Sequence, residues 1–239
     1  MNREPVSSSE TVRITTEYDR RAREIPEDYY CLSRPANLMM HQQTLRSCLA
    51  LLRRSSVFPL AGRRIADIGC GSGTWLLEFM RWGAEPSDLA GIDLIPGRIE
   101  RARLRIPQAD LRTGNATKVP WPEGSFDLVS QFMAFTSILE PAVKQAAAAE
   151  MLRVLKPGGV ILWFDFRIDN PANRQVRGIR APEIRSLFPE CGIRLMSAML
   201  APPLTRLTAG WAWPLAEILH AMPFLRTHYA GLISKNRPK

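Results

Sequence analysis

The chain has 239 residues, 46% of them hydrophobic, and a formal net charge of +9, a length that one elaborated α/β domain can fill. Its longest stretch free of charged residues, Leu128 to Leu139, falls short of the roughly 20 apolar residues a membrane-spanning helix needs, and the polar start MNREPVSSSE lacks the apolar core of a secretory signal. Cys31, Cys48, Cys70 and Cys191 are scattered without a C-x-x-C spacing, which argues against a disulfide framework or zinc site and for a reducing, cytoplasmic setting.

In chain order, the first thirty residues read as a mobile polar arm giving way to a helix. Between Asn37 and Arg54, Leu38, His41, Leu45, Cys48, Leu49 and Leu52 recur at helical spacing, predicting an amphipathic helix ahead of the core. From Arg64 onward strand-like apolar runs alternate with helical patterns: Ile65 to Gly69, then Thr74 to Trp82; Leu89 to Leu94, then Gly97 to Leu104; Asp110 to Thr113; Phe126 to Phe132, then Pro141 to Leu155; and Val160 to Phe166. Such alternation implies βαβ crossovers and a parallel sheet covered on both faces. Pro157-Gly158-Gly159 is expected to stop the helix before the fifth strand. A helix near Ala181 to Phe188, a strand near Ile193 to Leu200, a Pro- and Trp-rich insertion and a strand near Thr227 to Ser234 complete the pattern. The division expected is residues 1–55 as an N-terminal arm and helix, and 56–239 as one domain with an insertion at about 203–226.

The run Asp67-Ile68-Gly69-Cys70-Gly71-Ser72-Gly73 follows a strand and opens a helix. Glycines there let the chain turn and a ligand approach the backbone, while a helix start offers free amides. A dinucleotide fingerprint would need Gly or Ala where Thr74 stands, and a phosphate-binding P-loop would need a Lys that is absent. Asp93 closes the second strand, where a carboxylate can accept both hydroxyls of a ribose, or cap the helix that Pro96 and Gly97 begin. Gly114-Asn115-Ala116 follows the third strand, and Leu155-Lys156-Pro157-Gly158-Gly159 precedes the fifth. Together these four pieces, in this order, resemble the motifs of the class I S-adenosylmethionine-dependent methyltransferases, in their broad small-molecule branch. One departure is Asn115, where most relatives carry Asp; an amide can still hydrogen-bond an adenine edge.

The resemblance implies an α/β, Rossmann-like, seven-stranded and mostly parallel sheet with helices on both faces and an antiparallel last strand. It implies S-adenosyl-L-methionine as cofactor, held by Asp67, Gly69, Cys70, Gly71 and Gly73 at the glycine loop, by Asp93 and Leu94 at the ribose, and by Asn115 and Ala116 at the adenine. Gln131, after the fourth strand, would sit near the sulfonium or simply be a polar strand end. Tyr18 in Glu17-Tyr18-Asp19 resembles a Tyr-Asp of many relatives that closes over the cofactor. Of the 3 His, His41 lies on the helix that commonly lids the pocket and ranks first as a general base; a packed or solvent-facing histidine is the plainer reading. Asp165 is the alternative base, or a partner of Arg167. Asp169-Asn170 resembles part of a magnesium site, but no acid follows the fourth strand, so no metal is expected.

The reaction implied is methyl transfer to a small molecule, with a hydroxyl of a sugar, glycan precursor or secondary metabolite as the acceptor. A cofactor-binding protein without transfer activity, and an RNA methyltransferase, are the alternatives. In the insertion, Leu207, Trp211, Leu215, Ile218, Leu219 and Met222 share a helical face that suits a core cap, an apolar pocket wall or an interfacial membrane helix. Residues 56–165 carry 12 basic and 12 acidic side chains, whereas residues 166–239 carry 11 and 4. The surplus is spread through elements without an RNA-binding motif, which argues against nucleic acid and for an anionic or lipid-linked partner on the C-terminal side. The sequence carries no signal for oligomeric state.

Overall fold

The computed structural model describes residues 6–171 and 173–235. Seven strands form one sheet in the order β3-β2-β1-β4-β5-β7-β6. They are β1 (Ile65–Ile68), β2 (Leu89–Asp93), β3 (Asp110–Thr113), β4 (Phe126–Phe132), β5 (Leu155–Phe166), β6 (Gly192–Leu200) and β7 (Arg226–Ser234). β1 to β5 pair in parallel, and β7 runs antiparallel to both β5 and β6. Every residue of β1 and β2 is buried, which is why these strands read as continuous apolar runs without alternation.

Two apolar layers flank the sheet. On one face α2 (Pro35–Leu52), α3 (Thr74–Arg81) and α4 (Pro96–Arg105) deliver Leu52, Phe79 and Ile99 against Leu128 and Leu162. On the other, α5 (Pro141–Val154) and α6 (Ala181–Leu187) bring Ala147, Met151 and Ile184 against Val129, Ile161 and Trp163. The strand order reverses direction between β1 and β4, and α/β folds bind their ligands beyond the carboxyl ends of the strands at such a switch point. No helix among the described residues is long and apolar enough to cross a membrane.

Three local expectations are corrected. The N-terminal arm is ordered helix: α1 spans Val6–Glu24 and is pinned to the body by Glu10, which accepts the Leu139 amide, and by Arg13, which donates to the Ser137 carbonyl. Pro157-Gly158-Gly159 does not terminate α5. That helix ends at Val154, and the strand begins at once, with Leu155 paired to Phe126 and a register shift before Val160 pairs with Leu128. Gly159 allows this bulge because a Cβ there would lie 2.8 Å from the Asp127 carbonyl. The apolar residues from Leu207 to Met222 do not share one helical face: the 203–226 insertion folds as two short helices, α7 (Pro202–Thr208) and α8 (Trp213–Ala221), and Leu219 turns inward with Ala209 and Ala216 against Met39 and Leu200.

Candidate active site

A cavity of about 530 Å³ opens beyond the carboxyl ends of β1 to β4 and is roofed by α1, a size typical of sites for ligands of a few tens of atoms. Its floor includes Ile68 and Gly69 after β1, Asp93 and Leu94 after β2, Asn115 and Ala116 after β3, and Phe132 to Phe135 after β4. Its roof includes Glu10, Ile14, Tyr18, Asp19 and Arg21 of α1.

The glycine loop has φ of +76° at Gly69, +56° at Gly71 and +81° at Gly73, values that L side chains adopt only under strain. At Gly69 a side chain is excluded twice over, since its Cβ would stand 2.8 Å from that of Ala134. The Gly69 and Cys70 amides donate to the Ile92 carbonyl at 2.8 and 3.0 Å, fixing the loop to β2. Asp93 ties the same region together: its carboxylate accepts the Gly71 amide at 2.9 Å and the Ile95 amide at 2.9 Å. It therefore holds the turn between β2 and α4, without capping the helix, and orients the loop, and each oxygen keeps a lone pair for a ligand hydroxyl.

Tyr18, Gly69, Asp93, Leu94, Asn115 and Ala116 are thus brought together around one cavity. The Tyr18 hydroxyl lies 3.3 Å from Ser137 Oγ, and the Arg98 guanidinium stacks over its ring at 4.1 Å, a contact worth about 0.5–2 kcal/mol. Asn115 braces the wall: its Nδ2 donates to Thr11 of α1 at 3.0 Å while its Oδ1 accepts the Thr117 amide at 3.0 Å.

Other candidates lie outside the cavity wall. Asp67 is buried beneath the loop, accepts Ser130 Oγ at 2.7 Å, and is pushed up to about 7 by burial. The Cys70 thiol is buried and likewise raised by burial. Gly71 turns its amide to Asp93, and Gly73 packs beside Ala102 of α4. Gln131 is buried in β4, where its Oε1 accepts the Ala134 amide at 3.1 Å; it shapes the turn and does not reach the cavity.

His41 sits on the far side of a stacked Trp75–Phe132 pair whose ring centroids are 3.8 Å apart. Its Nε2 faces the buried Glu78 carboxylate at 3.1 Å, so the helix face that carries it points into α3 and away from the cavity. Asp165 is buried, accepts the Thr136 and Phe166 amides at 3.1 and 2.8 Å, and is raised by burial to about 7. Arg167 instead donates to the Arg226 carbonyl. His220 packs in the insertion. His228 is buried between Phe164 and Phe166 and lowered by desolvation to about 3, which keeps it neutral.

Sequence reasoning missed most of the roof and one wall. Arg98 and Arg101 of α4 line the cavity with no ion pair among the described residues; their place in the first turns after Asp93 was the available signal. Met133, with φ of +60°, turns the chain at the end of β4 so that Phe132 and Ala134 face the cavity. Glu10 had no local signal at all. Burial alone would raise its carboxyl, but the Arg13 hydrogen bond and the Leu139 amide outweigh this and hold it below the usual range.

Residues 65–159 match the model of a methyltransferase domain family. The chain is 34% identical over 112 residues to an uncharacterized methyltransferase of Synechocystis, covering 47% of this chain and 50% of that protein. It is 33% identical over 116 residues to a demethylmenaquinone methyltransferase of Renibacterium salmoninarum, covering 46% and 44%. The chain spans about half the length of these curated relatives. Among solved structures, the cyclase SpnF superposes with a TM-score of 0.60 at 20% identity over 82% of this chain and 83% of that one. A phosphoethanolamine N-methyltransferase of Haemonchus contortus does so with a TM-score of 0.67 at 13% identity over 98% and 50%. At these identities the likeness is one of fold.

Proposed function

We propose, since the chain belongs to the class I S-adenosylmethionine-dependent methyltransferases, that it transfers a methyl group to a small molecule bound under α1. The observation that carries this reading is the single cavity that gathers Gly69, Asp93 and Ala116 from three successive strand ends beneath a helical roof. These residues fit the cofactor: a carboxylate with lone pairs to spare stands at the end of β2, and a loop without a side chain at Gly69 lets a ligand lie on the backbone. When bound, S-adenosylmethionine supplies an electrophilic methyl group on a sulfonium sulfur.

In this reading Asp93 accepts the ribose hydroxyls, and Leu94 and Ala116 flank the adenine. Ile14 and Tyr18 exclude water, and the floor at Phe132 to Ala134 sets the acceptor's approach. Displacement at a methyl carbon demands alignment above all. Proton removal matters only for acceptors that arrive protonated. Of the wall carboxylates, Glu10 and Asp93 are engaged by backbone amides, which leaves Asp19 at the mouth to take a proton from the hydroxyl of a sugar, glycan precursor or secondary metabolite. His41, separated from the cavity by Trp75 and Phe132, has no part in this scheme.

A second reading, cofactor binding without transfer, draws on one observation: a neighbour of the same fold bears the name of a cyclase. Incubation with methyl-labelled cofactor and pooled cell extract separates the two. Label in a small-molecule fraction supports the proposal; label in RNA, or no label alongside calorimetric binding of the cofactor, overturns it.

A further inference from the structure

The outer face of the 203–226 insertion is the part of the surface that the proposed chemistry does not use. Leu207 is 66% exposed, Trp211 76%, Ile218 58% and Phe224 74%, with Leu215 and Met222 beside them. Single exposed apolar residues are ordinary, but a run of this size on one segment marks an interaction surface. Leu215 and Ile218 lie three residues apart on one side of α8, away from the buried Ala216, and Met222 follows directly after the helix. The Trp211 indole N–H donates to the Leu207 carbonyl at 2.7 Å, which holds the ring at the end of α7. The segment is therefore apolar on both sides, one side packed on Met39 and Leu200 and the other bare.

We infer that this face docks on an anionic phospholipid surface. Charge selects that occupant. Within residues 202–226 the basic side chains are Arg206 and Arg226 against a single acid, and exposed Arg206 and Arg194 lie in α7 and the neighbouring β6. The one acid of the segment, Glu217, is neutralised by Arg46 at 2.8 Å. Two copies meeting through this face would bring two basic surfaces together, whereas anionic headgroups complement them. Shallow helices with aromatic and aliphatic side chains beside Arg suit the headgroup boundary.

The face is continuous with the cavity mouth. The Arg206 guanidinium stands 5.6 Å over the Tyr29 ring, Tyr29 packs edge-on to Tyr30 at 4.9 Å, and Tyr30 lines the cavity. Docking by α7 and α8 thus turns the mouth toward the lipid, so that an acceptor carried on an apolar chain enters from the bilayer; this last step rests on the methyl-transfer reading, the docking itself does not.

The test is co-sedimentation of the full chain with vesicles of phosphatidylcholine containing phosphatidylglycerol, or of phosphatidylcholine alone. Binding to the anionic vesicles only, weakened about tenfold or more in Trp211→Ser/Ile218→Ser and weakened by salt, is expected. Calorimetry with S-adenosylmethionine, unchanged in that variant, shows that it folds and keeps the cofactor question separate. Equal binding by variant and parent, no binding to either vesicle, or a dimer that the double variant dissociates would each overturn the docking.

Discussion

Replacing Asp93 by Ala removes two kinds of bond at once, and they are read by different assays. In the ligand-free protein its carboxylate accepts the Gly71 and Ile95 amides, each at 2.9 Å. Hydrogen bonds to a charged acceptor contribute about 1.5–3 kcal/mol each, but Ile95 is only half-buried and water can replace its partner, so a loss of about 2–4 kcal/mol in folding stability is expected. In the complex two ribose hydroxyls lose the same acceptor. At the lower end of that range the two bonds amount to about 3 kcal/mol, or roughly a hundredfold in affinity. Asp93→Asn keeps one carbonyl oxygen and should lose about tenfold, with part of the stability restored. Calorimetry with S-adenosylmethionine measures the affinities, and thermal melting reports the folding cost separately. If Asp93→Ala melts at a lower temperature yet binds the cofactor within about threefold of the parent, the carboxylate only braces the glycine loop and the β2–α4 turn, and the ribose assignment fails.

Other substitutions test other parts of the architecture. Gly69→Ala forces a Cβ to 2.8 Å from that of Ala134 at a φ of +76°; a loss of about 1–3 kcal/mol in stability and a weaker cofactor affinity should follow, measured by melting and calorimetry. His41→Ala should lower the melting temperature by leaving Arg81 as the remaining partner of the buried Glu78, but reduce turnover by less than about tenfold, below the usual contribution of a general base; a larger loss of turnover would return His41 to the chemistry. Asp67 titrates near 7 in the fold and near 4 when unfolded, so the native state holds the extra proton between these values. Its contribution to stability is complete at about pH 4 and is lost as pH rises to about 7. Asp67→Asn should therefore melt with a smaller decline than the parent from about pH 5 to about pH 8, and identical declines would show that the carboxyl is not raised.

What could be read from the chain in advance follows from which interactions are local. β1, β2 and β4 are continuous buried runs followed by helix starts, so their order and their shared end were legible, and with them Gly69, Asp93 and Ala116. Helix facing was not. His41 has the spacing of a lid residue, but whether it meets a ligand or Glu78 depends on how α2 rolls against α3. Nor was the roof. α1 is almost wholly polar, and it stays helical through Glu10–Arg13 and Glu17–Arg21 pairs and through contacts more than a hundred positions away at Ser137 and Leu139. Gln131 and Asp67 show the same limit: each stands beside a cavity-lining turn in the sequence, yet its side chain points into the protein, where it accepts a turn amide or a strand hydroxyl.

The antiparallel β7 has a bearing on synthesis as well as on shape. It occupies the place between β5 and β6, and β6 pairs with no other strand. On a ribosome, the chain through residue 225 would have two open edges facing an unfilled slot, with the backbone amides and carbonyls of β5 and β6 unpaired along it. Completion of this sheet therefore waits for β7 to emerge after β6 and insert between two older strands. A nascent chain stalled before that point should be held by chaperones or cleaved, and one released after it should close in a single step.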